Sequence, residues 1–215
     1  DIHTGLEVIM DMASCSTNNS VYVAGGGHGV YRLTKDDRAA PWLGNVGLVM
    51  KISVTPDGRV VTLIATDGRG SGDNTTWHGK VEVYSPRGMK LTILKLPHDI
   101  VNPYHAVQTN NKSFIISHGD DRTELSRVCE VNNEGIIVAS YGGRRGSGLG
   151  QLYAPAHFIL DDKQRVLVAD TLNQRVVLLD RKLNIQRVLL QWSAQGEDAP
   201  YRLLYDSDTS QLMVG

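Results

Sequence analysis

"AHFILDDKQRVLVADTLNQRVVLLD", residues 156–180, contains three short apolar runs separated by two polar breaks. Runs of four to six residues rich in Val, Ile and Leu, bounded by Asp, Asn, Lys and Gln, read as strands joined by tight turns. The same pattern occurs in "YHAVQTNNKSFIISH" (104–118), where a histidine also opens the first run and the second run closes 13 residues after it. "MKISVTPDGRVVTLI" (50–64) and "YRLLYDSDTSQLMVG" (201–215) have this shape, and "MDMASCSTNNSVYVAG" (10–25) has it with one extra residue.

The first strands of these repeats begin at Asp11, Lys51, His105, His157 and Arg202, in steps of 40 to 54 residues. That period suits four-stranded propeller blades. Third and fourth strands follow in "VEVYSPRGMKLTILKL" (81–96), "RVCEVNNEGIIVASYGG" (127–143) and "RVVLLDRKLNIQRVLLQW" (175–192), each with its own turn. In the first repeat "AAPWLG" (39–44) takes the place of the fourth strand. The expected fold is all-β: a single propeller domain over residues 1–215, with about four and a half blades. The fifth repeat has two strands, so the chain reads as a piece of a longer ring.

Bulk composition narrows the function classes. Twenty-two Lys and Arg against 23 Asp and Glu give a net charge of −1, without the basic excess of a dedicated nucleic-acid binder. Two cysteines, Cys15 and Cys129, lie far apart with no metal-type spacing, which points to a reducing compartment and a cytoplasmic location. No run reaches the ~18 apolar residues of a membrane span. The glycine-rich stretches "GRGSG" and "GGRRGSGLGQ" match neither phosphate-binding fingerprint and read as connections between strands.

Residues 146–180, "GSGLGQLYAPAHFILDDKQRVLVADTLNQRVVLLD", resemble an NHL repeat. Gly150, Leu152, Pro155, Asp170, Asn173 and Arg175 carry the match; in the other repeats Gly25, Ile64 and His118 stand where Asp170 does. The chain is similar to the NHL propellers at the C-terminus of animal TRIM-type ubiquitin ligases. The resemblance implies a ring of six blades and a non-catalytic protein-interaction role, with ligase chemistry in other domains. An RNA-binding propeller is the alternative, and a channel metalloenzyme of the amidating-lyase kind is the third reading. No cofactor is expected.

Two residue sets are the binding candidates. The strand-start residues Asp11, Lys51, His105, His157 and Arg202 would line the mouth of a propeller channel, where histidines and an acid can bind a metal or move a proton. Trp77, His118, Arg144 and Arg145 fall on connections that would form a loop face, where aromatic and basic residues make contacts. Within "DTLNQ", Asp170 can accept backbone amides and Asn173 is a residue that tolerates a left-handed conformation; Arg175, just after it, could pair with Asp170 or a neighbouring blade.

Overall fold

A computed structural model describes residues 8–25, 29–33, 39–69, 76–192 and 199–215. The chain divides into two compact units, Asp1–His98 with Ala106–Gln108, and Asp99–His105 with Thr109–Gly215. The first unit holds two antiparallel four-stranded sheets. One is formed by β1 (Ile9–Cys15), β2 (Ser20–Gly25), β3 (Gly29–Leu33) and β4 (Ala39–Gly44). The other is formed by β5 (Leu48–Val54), β6 (Val60–Arg69), β7 (Thr76–Tyr84) and β8 (Lys90–Lys95).

A third sheet is built from β9 (Pro103–Gln108), β10 (Phe114–His118), β11 (Leu125–Val131) and β12 (Ile137–Arg144). The fourth contains β13 (Pro155–Leu160), β14 (Val166–Asp170), β15 (Arg175–Leu179) and β16 (Ile185–Gln191). β17 (Leu203–Asp206) and β18 (Gln211–Val214) make a two-stranded sheet. Every four-stranded sheet runs in sequence order, the up-and-down meander of a propeller blade. The all-β expectation holds, and "AAPWLG" is indeed a strand. The described residues form four complete blades and one hairpin, in line with the expected four and a half.

One turn recurs six times and explains why the hairpins close where they do. At Thr55, Ser85, Thr109, Asn132, Asp161 and Asp180, the first residue's N–H donates to the carbonyl four residues on. Its own carbonyl accepts the N–H of the residue three on. That residue has positive φ each time: Gly58, Gly88, Lys112, Gly135, Gln164 and Leu183. The side chain at the first position completes the turn; Asp161 Oδ1, for example, accepts from the Lys163 and Arg165 amides at 3.0 and 2.8 Å. Sequences as different as "TPDGR", "NNEGI" and "DRKLN" thus adopt one geometry: a short polar acceptor first, and a left-handed fourth residue, glycine in three of the six turns and a strained side chain in the others.

Gly58, at φ 80°, has room for a methyl group, with its nearest neighbour, Thr17 Oγ1, at 3.4 Å. Gly58→Ala is therefore expected to lower stability through backbone strain alone, by about 1 kcal/mol. The exposed Lys112→Gly, at φ 65°, should be neutral or slightly stabilising, since relief of strain opposes the greater freedom of glycine in the unfolded chain. Urea unfolding of the pair checks both signs.

Inner strands are apolar on both sides because each sheet face packs against other protein. All of β14 is buried, as are four of the five residues of β15. The outermost strands β8 and β16 are mostly exposed. In the first unit Tyr22, Ala24, Val30, Val49, Ile52 and Ile64 form a core roofed by Trp42, whose ring centroid lies 4.6 Å from that of Tyr22. Glu82 of β7 is buried there without being isolated: Lys80 and Lys90 donate to it at 2.6 and 2.9 Å, and the Tyr84 hydroxyl also donates. These donors hold its carboxyl below the usual range, although burial opposes them. In the second unit Leu167, Ala169, Val176 and Leu178 pack against Leu203 of β17. Among the described residues no helix is long and apolar enough to cross a membrane.

Candidate functional site

The polar cluster at 170–175 is a structural staple. Asp170 is fully buried and accepts from Tyr153 N–H at 2.7 Å, Asn173 Nδ2 at 2.8 Å and Arg175 Nε at 2.7 Å. Arg175 also donates to the carbonyls of Ser147 and Gln151, and Asn173 to that of Gly146. Together the three side chains tie the β14–β15 connection, which includes a 3-10 turn at Thr171–Asn173, to the segment that leads into the blade. The left-handed residue of this connection is Gln174, at φ 50°. Asn173 instead spends its side-chain amide on the staple.

Blade three has a counterpart that the sequence pattern concealed. His118 pairs with Arg127 in the β10–β11 ladder as Asp170 pairs with Arg175 in β14–β15. Arg127 Nε donates to His118 Nε2 at 3.1 Å and its other arm to Asp99 Oδ2 at 2.7 Å. His118 is therefore a buried acceptor, not part of an exposed loop face as the sequence led us to expect. A polar residue at a strand end reads as solvent-facing until the segment covering it is known. The Cys129 sulfur lies 3.7 Å from His118 Nε2, and burial pushes its thiol up to about 12, so it stays protonated.

Burial, reinforced by the Arg127 charge, lowers His118 to about 4. Between the ordinary value near 6.5 and 4, the unfolded chain takes up a proton that the folded state refuses. His118 thus costs stability as pH falls through that window, by roughly 3 kcal/mol at its lower end. Urea unfolding at pH 7 and pH 5 should show this loss, and His118→Gln should flatten it.

The strand-start residues fall into two groups. In the first unit, Asp11 is buried and its Oδ2 accepts the Ile52 amide at 3.0 Å, while Lys51 is half-buried on β5. In the second unit, His105 and His157 are 4% and 8% exposed and stack with ring centroids 4.3 Å apart and planes at 29°. The Phe158 ring meets His105 edge-on at 5.1 Å. Leu203 N–H donates to His157 Nδ1 at 3.2 Å. Asp11 and His157 thus do one job: each accepts the backbone N–H of the residue after the next blade's strand-start position, which gives that buried amide a partner. With Nδ1 accepting, neutral His157 carries its proton on Nε2. Arg202 is exposed, and its backbone pairs with Gly215.

Residues at this end of the second unit that the repeat alignment missed are Asn102, Tyr104 and Asp120. Asp120 is buried and accepts from Asn102 Nδ2 at 2.8 Å. Burial, with Asp120 and Tyr201 close by, raises the Tyr104 phenol to about 12. Asn102 and Asp120 lie in connections that vary from blade to blade, and Tyr104 is in β9 beside His105, so no periodic signal marks the three together.

The other loop-face candidates sit in different local surroundings. Arg145 donates to the Asp121 carbonyl and lies 5.7 Å from the centre of the Tyr153 ring. Arg144 is exposed on β12. Trp77 is half-buried within β7 opposite Gly68, because the β6–β7 ladder extends into what reads as a loop.

No family model and no curated protein matches the chain. Solved structures do. A protein of unknown function from Bacteroides caccae aligns over 92% of the chain with a TM-score of 0.65 at 13% identity. Virginiamycin B lyase from Staphylococcus aureus aligns over 96% with 0.59 at 14% identity. A gluconolactonase from Xanthomonas campestris aligns over 95% with 0.62 at 13% identity. The chain spans 66%, 62% and 67% of these three proteins. The expectation of a non-catalytic TRIM-type recognition propeller, with RNA binding as its alternative, is corrected here: the similar propellers with a stated activity among these are enzymes. At these identities the likeness establishes architecture, and the chain has an all-β propeller fold of four-stranded blades.

Proposed function

We propose that this chain belongs to a propeller enzyme that opens a C–O bond in a small cyclic ester, with His105 and His157 as its acid–base pair. The observation that carries this reading is the stacked, buried imidazole pair with His157 Nδ1 held by the Leu203 amide. In a lactone hydrolysis, His105 takes a proton from water as its oxygen adds to the carbonyl carbon. His157 Nε2–H gives a proton to the ring oxygen as the carbon–oxygen bond breaks. A catalytically inactive histidine-to-alanine variant of virginiamycin B lyase, solved with quinupristin, shares this fold and supports a histidine-based reading.

The test is a panel of lactones, gluconolactone included, and streptogramin B compounds, incubated with the full-length protein and read by mass spectrometry. Hydrolysis adds one water to the product, whereas elimination leaves the mass unchanged. Turnover that disappears in His157→Ala supports the assignment, and absence of turnover across the panel overturns it. Residues 146–180 are further read as an NHL-type repeat, a reading supported by the Asp170–Asn173–Arg175 staple. The buried free thiols of Cys15 and Cys129 fit a reducing compartment.

A further inference from the structure

A second histidine pair lies in the first unit, away from the strand-start positions. His78 is in β7, and His98 follows β8. The Leu96 amide donates to the Gly79 carbonyl at 3.2 Å, which pins the segment after β8 alongside β7 and brings the two rings together. Their centroids are 4.6 Å apart with planes at 40°. His78 is half-buried and His98 exposed, so the pair opens to solvent and has no core to fill.

The spacing is compatible with two imidazoles sharing one metal ion. With a metal–nitrogen bond of about 2.0–2.1 Å, a ring centre lies about 3.2 Å from the metal, so rings 4.6 Å apart subtend about 90° there. A tetrahedral site would place them about 5.2 Å apart. An angle near 90° belongs to adjacent positions of square-planar or octahedral ions, which imidazole serves well.

We infer that His78 and His98 form a binding site for a late first-row divalent cation, copper(II) or nickel(II) in preference to zinc, with water in the remaining positions. Each imidazole gives one nitrogen to the metal and keeps its proton on the other. Because the ligands come from β7 and from the segment after β8, the bound ion ties that segment to the blade and protects both from unfolding.

Titration calorimetry of the full-length protein with nickel(II), copper(II) and zinc(II), in a non-chelating buffer, tests this. Wild type should bind one more equivalent of nickel(II) than His78→Ala or His98→Ala, or bind it at least tenfold more tightly. It should also bind nickel(II) more tightly than zinc(II). The metal-induced rise in Tm should be lost in both variants, whereas His157→Ala should keep it. His98 is exposed, so His98→Ala removes a ligand without opening a cavity, and metal-free melting verifies that it folds. Equal nickel(II) binding in wild type and His98→Ala, or tighter zinc(II) than nickel(II) binding at the site lost in the variants, overturns the proposal.

Discussion

Asp170→Ala is expected to destabilise the second unit by about 3–5 kcal/mol, the scale for breaking a buried charge pair by removing one partner. The Asp170 carboxylate is fully buried and Arg175 is 12% exposed. Alanine strips three donors of their acceptor at once: the Tyr153 amide, the Asn173 side chain and the Arg175 guanidinium. Arg175 keeps the Ser147 and Gln151 carbonyls, so its charge stays in place without a counter-ion. Burial holds the Asp170 carboxyl above its usual range despite these bonds. The staple's value therefore lies in directing the connection as well as in charge attraction. Asp170→Asn, which keeps an acceptor for Tyr153, should lose less. Urea unfolding, combined with hydrogen-exchange protection of β14 and β15, measures both; an alanine variant within 1 kcal/mol of wild type would refute the staple.

On the proposed cyclic-ester reading, His157→Ala is expected to reduce turnover by about 10²- to 10⁴-fold, the range for loss of a general acid–base group. The substitution also leaves the buried Leu203 amide without its acceptor, a backbone latch whose loss costs about 1–3 kcal/mol of stability and lowers turnover by itself. The two effects separate by experiment. His157→Asn offers a side-chain oxygen to the amide but no titratable nitrogen, so it should recover stability without recovering turnover. His105→Ala should cost turnover on a similar scale. Equal turnover in His157→Asn and wild type would leave His157 as a latch only.

Much of this architecture is written locally. The acceptor that opens each turn, the left-handed residue that closes it and the apolar runs between are contacts within a few residues, so periodicity and turn chemistry are enough to place them. That is why "AAPWLG" and the closing hairpin fall where the pattern puts them. Side chains at strand ends are another matter. Asp170, Asn173 and Arg175 are recognisable as a group, yet their partners Tyr153, Ser147 and Gln151 come from the preceding connection. His118 occupies the same ladder position as Asp170, and only its burial beside Arg127 and Asp99 shows that it is a neutral acceptor instead of a surface contact.

By itself, the sequence determined the all-β class, the blade repeat and the hairpin turns, because strand alternation and turn geometry act over a few bonds. Tertiary structure decided which polar residues face one another: His105 with His157, His78 with His98, and Asp11 with the Ile52 amide. Those pairings join residues 20 to 52 positions apart in the chain. Their distances are set by how neighbouring blades and connections pack, and no local pattern carries that information.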